Sequence, residues 1–73
     1  MNSLDLHGIK HIEVQKLVDN FIWENMQKKV NEVEIITGIS DQMKDIVKQT
    51  VDDYKMECTI DPLNVGKLII RIK

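Results

Sequence analysis

Near its start the chain reads Leu4-Asp5-Leu6-His7-Gly8, which sets a carboxylate and an imidazole two residues apart. On an extended strand, residues i and i+2 project from one face with Cα atoms roughly 6.6 Å apart. Asp5 and His7 at that spacing can reach a single phosphate together. Asp5 would then hold a divalent cation (magnesium or manganese) or orient a water, and His7 would move a proton near neutral pH. Taken alone, an Asp-x-His pair is a weak signal, because exposed Asp and His side chains are ordinarily just solvated. Other groups of the right type for phosphate contact are Gly8, Lys10 and His11 just after the pair, Thr37, Gly38 and Ser40 in mid-chain, and Lys67 and Arg71 near the end.

Hydrophobic periodicity supplies the elements that would position these groups. Asn2 to His7 alternates, with Leu4 and Leu6 on one face and Asp5 and His7 on the other, and Gly8 ends this strand. From about His11 to Lys29, Val14, Leu17, Val18, Phe21 and Ile22 follow the spacing of an amphipathic helix. Val33 to Thr37 is rich in β-branched residues and reads as a second strand, closed by Gly38. Ser40 or Asp41 is a good N-cap for a second helix, whose stripe is Met43, Ile46, Val47, Thr50, Val51 and Tyr54. Period two returns with Cys58 and Ile60, a turn covers 61–66, and Leu68, Ile70 and Ile72 alternate with Lys67, Ile69, Arg71 and Lys73.

The order is βαβαββ. Strand–helix–strand units require parallel strands with right-handed crossovers, and the short last connection implies an antiparallel hairpin. Each helix has one apolar stripe, so both helices should cover the same face of a mixed four-stranded sheet, an α/β two-layer sandwich formed by residues 1–73 as a single domain. Parallel first and second strands would put His7-Gly8 and Thr37-Gly38 at one edge, where ligands of open α/β sheets bind and helix N-termini offer N–H groups to anions. Lys10 and His11 are poor caps, so the first helix should begin with unsatisfied donors there. Asp5, His7, Glu34, Ile36, Lys67, Ile69, Arg71 and Lys73 should share the face away from the helices, and its cations could track a phosphate backbone.

Composition narrows the function classes. The chain has 73 residues, 42% of them hydrophobic and 30% charged, which suits a folded domain rather than a disordered one. The net charge of −2 argues against a general polyanion binder, so any contact with DNA or RNA must be local. One cysteine, Cys58, rules out an internal disulfide and fits a reducing, cytoplasmic compartment. No apolar run approaches the ~20 residues of a membrane span, and no signal-peptide pattern precedes the first strand. His7 and His11 are separated by Gly8 and a strand-to-helix junction, unlike the one-face histidine pair of a zinc protease. Cys58 reads as core, and the methionines as helix-core or helix-edge filler. The bias toward Lys, Ile, Asn and Asp is that of an A·T-rich genome, viral ones included.

The opening Leu4-Asp5-Leu6-His7-Gly8, followed by a helix, resembles the L-D-L-H-G motif of small MutS-related (Smr) domains. Ile35-Ile36-Thr37-Gly38 is similar to their second motif, and Gly66 to Lys73 fits their closing strand. The resemblance implies the fold of the C-terminal domain of bacterial translation initiation factor three. It also implies binding of DNA or RNA and phosphodiester cleavage, with Asp5 and His7 as the catalytic residues. Where the family has G-K-G, however, this chain has Gly38-Ile39-Ser40, without the loop cation and second glycine. The glycine-rich stretch before the last strand is reduced to Gly66, and the motif begins almost at Met1, as in a minimal, stand-alone member. Two readings follow. One is a nucleic-acid-binding endonuclease. The other is a non-catalytic adaptor that keeps the fold and binds a protein, or a second copy, through the open sheet face or Trp23, which lies opposite the helix's apolar stripe.

Overall fold

The computed structural model describes residues 2–72. The elements are β1 (Asn2–Asp5), α1 (His11–Gln27), β2 (Glu32–Ile36), α2 (Asp41–Asp53), β3 (Glu57–Asp61) and β4 (Asn64–Arg71). They build one four-stranded sheet in the order β1-β2-β4-β3. β1 and β2 are parallel, while β4 runs antiparallel to both β2 and β3. The mixed sheet and the βαβαββ order agree with the sequence patterning.

Period-two alternation divides the sheet into two faces. Leu6, Val33, Ile35, Leu68 and Ile70 are buried beneath Val14, Val18 and Ile22 of α1 and Met43, Val47 and Val51 of α2. Both helices therefore lie on one face. Two polar residues enter this layer with partners. The Asn25 amide donates to the Phe21 carbonyl at 2.8 Å, and its oxygen accepts from the Asn2 side chain, tying the start of β1 to α1. Thr50 donates back to the Ile46 carbonyl at 2.8 Å, so its hydroxyl adds no unsatisfied group to the core.

Two boundaries differ from the hydrophobic pattern, and local hydrogen bonds account for both. β1 ends at Asp5 instead of running on to His7, because the Leu6 carbonyl accepts the Ile9 N–H at 3.0 Å and turns the chain away from β2. The His7 N–H, which points to the outer edge of the sheet, is taken by an Asp5 carboxylate oxygen at 2.9 Å. Only Leu6 continues the pairing, its N–H reaching the Ile36 carbonyl at 2.8 Å. At the other end of the sheet order, the turn between β3 and β4 is two residues, Pro62-Leu63, not the whole of 61–66. The Asp61 and Asn64 side chains accept from the N–H groups of Leu63 and Gly66 at 2.8 and 3.0 Å, which lets β4 begin at Asn64.

The topology brings three connections to one edge. β1 and β2 both end there, and the antiparallel β4 starts there, so the β1–α1 loop, the β2–α2 loop and the β3–β4 hairpin tip are gathered together.

Candidate nucleic-acid interface

The first loop is a tight turn. The Ile9 N–H donates to the Leu6 carbonyl at 3.0 Å, with Gly8 in its third position at φ +80°. That conformation is natural for glycine and costs an L side chain about 1–2 kcal/mol. The turn presents His7, which is exposed, while Leu6 is sealed in the core. The Asp5 carboxylate holds the backbone of His7. The strand spacing of the two side chains is thereby replaced by a direct carboxylate-to-amide bond.

Helix α1 starts immediately after this turn. Lys10, in extended geometry at the cap position, offers no side-chain acceptor, and its carbonyl takes the Glu13 N–H at 2.9 Å. The donors ahead of Glu13 in this turn are those of His11 and Ile12, beside an exposed Lys10 and a half-buried His11. Helix α2 starts differently. Ser40 Oγ accepts the Met43 N–H at 3.2 Å, so a side chain takes one donor of this terminus. Ser40 is a sequence candidate for phosphate contact, and its acceptor is already engaged within the fold.

Thr37 and Gly38 are tied down on the other side. Both backbone N–H groups donate to the Gly66 carbonyl, at 2.9 and 3.0 Å, and the Thr37 hydroxyl lies 2.9 Å from the Gly38 carbonyl. The fit at Gly66 is tight, since a Cβ on it would sit 3.2 Å from Gly38 Cα. The two glycines are thus a matched pair of close-packed backbones. Their donors serve the sheet and leave little for a phosphate.

A model of the Smr domain matches residues 4–61. The chain belongs to the Smr domain family. The crystal structure of the Smr domain of Thermus thermophilus MutS2 superposes with a TM-score of 0.88 at 14% sequence identity, covering 97% of this chain and 96% of that one. At this identity the likeness shows a shared fold. No curated protein matches the chain.

On this Smr domain's open face the register sets Asp5 beside Ile36, Ile36 beside Lys67, Glu34 beside Ile69 and Glu32 beside Arg71. The sharing of one face by these residues agrees with the alternation of the strands; Lys73 lies outside the described residues. Pairing adds what patterning misses. Lys67 Nζ is 2.9 Å from Glu34 and 3.9 Å from Asp61, and Arg71 is 3.7 Å from Glu32. The hydrogen-bonded Glu34 carboxylate holds the Lys67 pKa above the ordinary lysine value. Both cations thus face internal carboxylates before any phosphate arrives. Since Glu34 and Asp61 stand on different strands from Lys67, only the register joins them.

The remaining candidates have plain positions. Asp5 contacts the backbone of His7, and among the described residues no three His, Cys, Asp or Glu side chains gather to hold a metal ion. Asp5 would be an isolated carboxylate ligand, which is a poor fit to a dedicated cation site. Cys58 is half-buried against the core, lining a cleft of about 230 Å³ between α2 and β3 on the helix side. Burial pushes its thiol pKa up, with Lys48 pulling it down more weakly, the opposite of an activated nucleophile. Trp23 is 59% exposed on α1. No helix among the described residues is long and apolar enough to cross a membrane.

Proposed function

We propose that this Smr domain binds DNA or RNA at the β1–α1 loop and cleaves a phosphodiester bond there. The observation that carries this reading is the Asp5–His7 turn, which sets an exposed imidazole directly before the uncapped start of α1. A phosphate on that terminus would accept from the first N–H groups of α1, with Lys10 and His11 beside it. His7 would then take the proton from the attacking oxygen, a water or a ribose 2′-hydroxyl, as the new P–O bond forms and the old one breaks, with the departing oxygen taking a proton from solvent. Asp5 is a positioning residue in this scheme. It fixes the backbone of His7, and its remaining oxygen can orient the water. No step is routed through a metal ion.

The test uses supercoiled DNA and structured RNA, each with magnesium, manganese or chelator, against wild type, His7→Ala, Asp5→Asn and Asp5→Ala. Asn keeps a side-chain oxygen for the His7 amide and loses only the charge. The expected pattern is loss of cleavage in His7→Ala and Asp5→Ala, with partial retention in Asp5→Asn. Cleavage that survives in His7→Ala would rule out the imidazole as the proton-transfer group.

A second reading, a non-catalytic adaptor, draws support from the internally paired cations of the open face and from the exposure of Trp23. Salt-sensitive nucleic-acid binding without cleavage would leave a binding module. Absence of both activities would favour the adaptor.

A further inference from the structure

The helix layer covers the two outer strands of the sheet unequally. At β1 the helix-side residues are Asn2, bonded to Asn25 of α1, and Leu4, packed against the core. At β3 the register sets Ile60 opposite the buried Leu68, so its side chain also lies on the helix side, yet it is 54% exposed. α2 does not close over it. The gap is the cleft of about 230 Å³, with Cys58, Ile60 and Leu68 as its apolar floor and Lys44, Asp45 and Lys48 of α2 as its wall. That volume is below the roughly 300–1,000 Å³ of pockets that enclose a small molecule. An unfinished ladder borders the cleft. Among the described residues β3 pairs with β4 alone, and no backbone hydrogen bond outside the ladder reaches residues 57–60. Alternate residues of an antiparallel edge strand direct their N–H and C=O groups away from the sheet. A groove beside free main-chain groups is the geometry in which a peptide adds a strand, with its alternate side chains entering the groove.

We propose that β3 is a docking edge for an extended, basic segment of a partner protein, which continues the sheet as a fifth strand and places aliphatic side chains in the cleft beside α2. The proposal stands apart from the chemistry at the first loop. Charge selects this occupant. β3 carries two carboxylates and no cation, with Glu57 at its start and Asp61 at its end. Alternation sets both on the open-face side, where Glu57 lies opposite Arg71 and Asp61 is 3.9 Å from Lys67. Glu57 is exposed and has no ion-pair partner among the described residues. Opposite charges across a strand pair attract, so residues of an added strand that face these carboxylates are best as lysine or arginine. A second copy of the chain is a poor occupant. Paired in register through β3, it would set Glu57 against Asp61 of the other copy when antiparallel, and each carboxylate against its own counterpart when parallel. A phosphate backbone meets the same two carboxylates. Between them, Cys58-Thr59-Ile60 has neither charge nor proline to block a partner of the right sign, and the register shift of the ladder falls at its far end, between Ile60 and Asp61.

The experiment follows the backbone amides of the full chain by NMR during titration with the end-blocked synthetic peptide Lys-Val-Thr-Val-Lys, which puts valines on the cleft side and lysines opposite Glu57 and Asp61. At millimolar peptide, shifts are expected at residues 57–60 and on the part of α2 that lines the cleft. The peptides Glu-Val-Thr-Val-Glu and Lys-Ser-Thr-Ser-Lys should each bind roughly tenfold more weakly, the first through charge and the second through lost apolar burial. The Glu57→Lys variant, altered at an exposed position, should narrow or reverse the preference for lysine over glutamate ends. Backbone pairing is read from two N-methylated forms of the first peptide, one blocked at both valines and one at the threonine and lysines. Only one of these sets of amides can face β3, so one form should lose binding and the other keep it. Absence of shifts, shifts confined to Glu32 and Glu34 of the open face, equal binding of glutamate-ended peptide, an unchanged preference in Glu57→Lys, or binding of both methylated forms overturns the proposal. So does a concentration-dependent dimer, seen by sedimentation, that Ile60→Ser abolishes, which would assign the edge to self-association.

Discussion

The loop leading into α1 and the loop leading into α2 leave neighbouring parallel strands at the same edge, and each turns on a glycine with positive φ, +80° at Gly8 and +70° at Gly38. Beyond that they diverge. The second loop is tied down at more points, with Ser40 Oγ taking the Met43 N–H of α2, the Thr37 and Gly38 amides bonded to the Gly66 carbonyl, and Gly66 packed near Gly38. In the first loop the one side-chain bond, from Asp5, fixes His7 and leaves the start of α1 uncapped. A helix terminus that satisfies itself gains stability and loses its appetite for anions, whereas an unsatisfied one keeps it. On the proposed reading the site is the first loop, with the second serving as its scaffold.

Substitutions can break or sharpen this contrast. The largest effect should come from Gly66→Val, whose side chain would be driven into the Gly38 backbone. A loss of about 2–3 kcal/mol is expected from urea unfolding; a shift within experimental error would mean that the two loops are not rigidly joined. Ser40→Ala should remove the α2 cap, costing about 1 kcal/mol and lowering Tm by roughly 4–8 °C. Binding of nucleic acid by that variant, measured at a temperature where it is folded, should not weaken. Lys10→Ser is the mirror experiment. Giving α1 the cap that α2 already has should stabilise the fold by up to about 1 kcal/mol and, by occupying the terminal donors, weaken nucleic-acid binding. A variant that is more stable yet binds as well as wild type would sink the assignment of the phosphate to that terminus. The smallest change in stability belongs to Glu34→Gln, which frees Lys67 from its strong partner. Its signature should be in the salt dependence, a slope of log K against log salt steeper by up to about 0.9 if the released cation takes one phosphate.

The same contrast measures what the amino-acid sequence discloses. Element order, the shared helix face and the composition of the open face all follow from periodicity, because an apolar stripe has one place to go. The absence of a side-chain cap at Lys10 and its presence at Ser40 were equally legible, since capping depends on residue type at a local position. What escaped were features that depend on register or on hydrogen bonds within a loop. The pairing of Lys67 with Glu34 and Asp61 requires knowing which residues of three strands lie side by side. The early end of β1 requires that the Leu6 carbonyl turn back to the Ile9 N–H, a bond that alternation does not disclose. Gly66 resembled a residue of a long turn, and its contact with Gly38 appears only once both loops are placed.

The strand that leads into the proposed site, ending at Asp5 just ahead of His7, is lightly held. β1 is four residues long, lies at the edge of the sheet and pairs with β2 alone, whereas the eight-residue β4 lies between β2 and β3 and is paired on both sides over Leu68–Arg71. Beyond its ladder, β1 is moored by Leu6 in the core and by Asn2 on Asn25. Amide protons of β1 should therefore exchange with deuterium sooner than those of β4, through local opening that leaves the other three strands paired. A bound phosphate at the foot of α1 would slow that exchange, so occupancy of the site could be followed from the protection of its own strand.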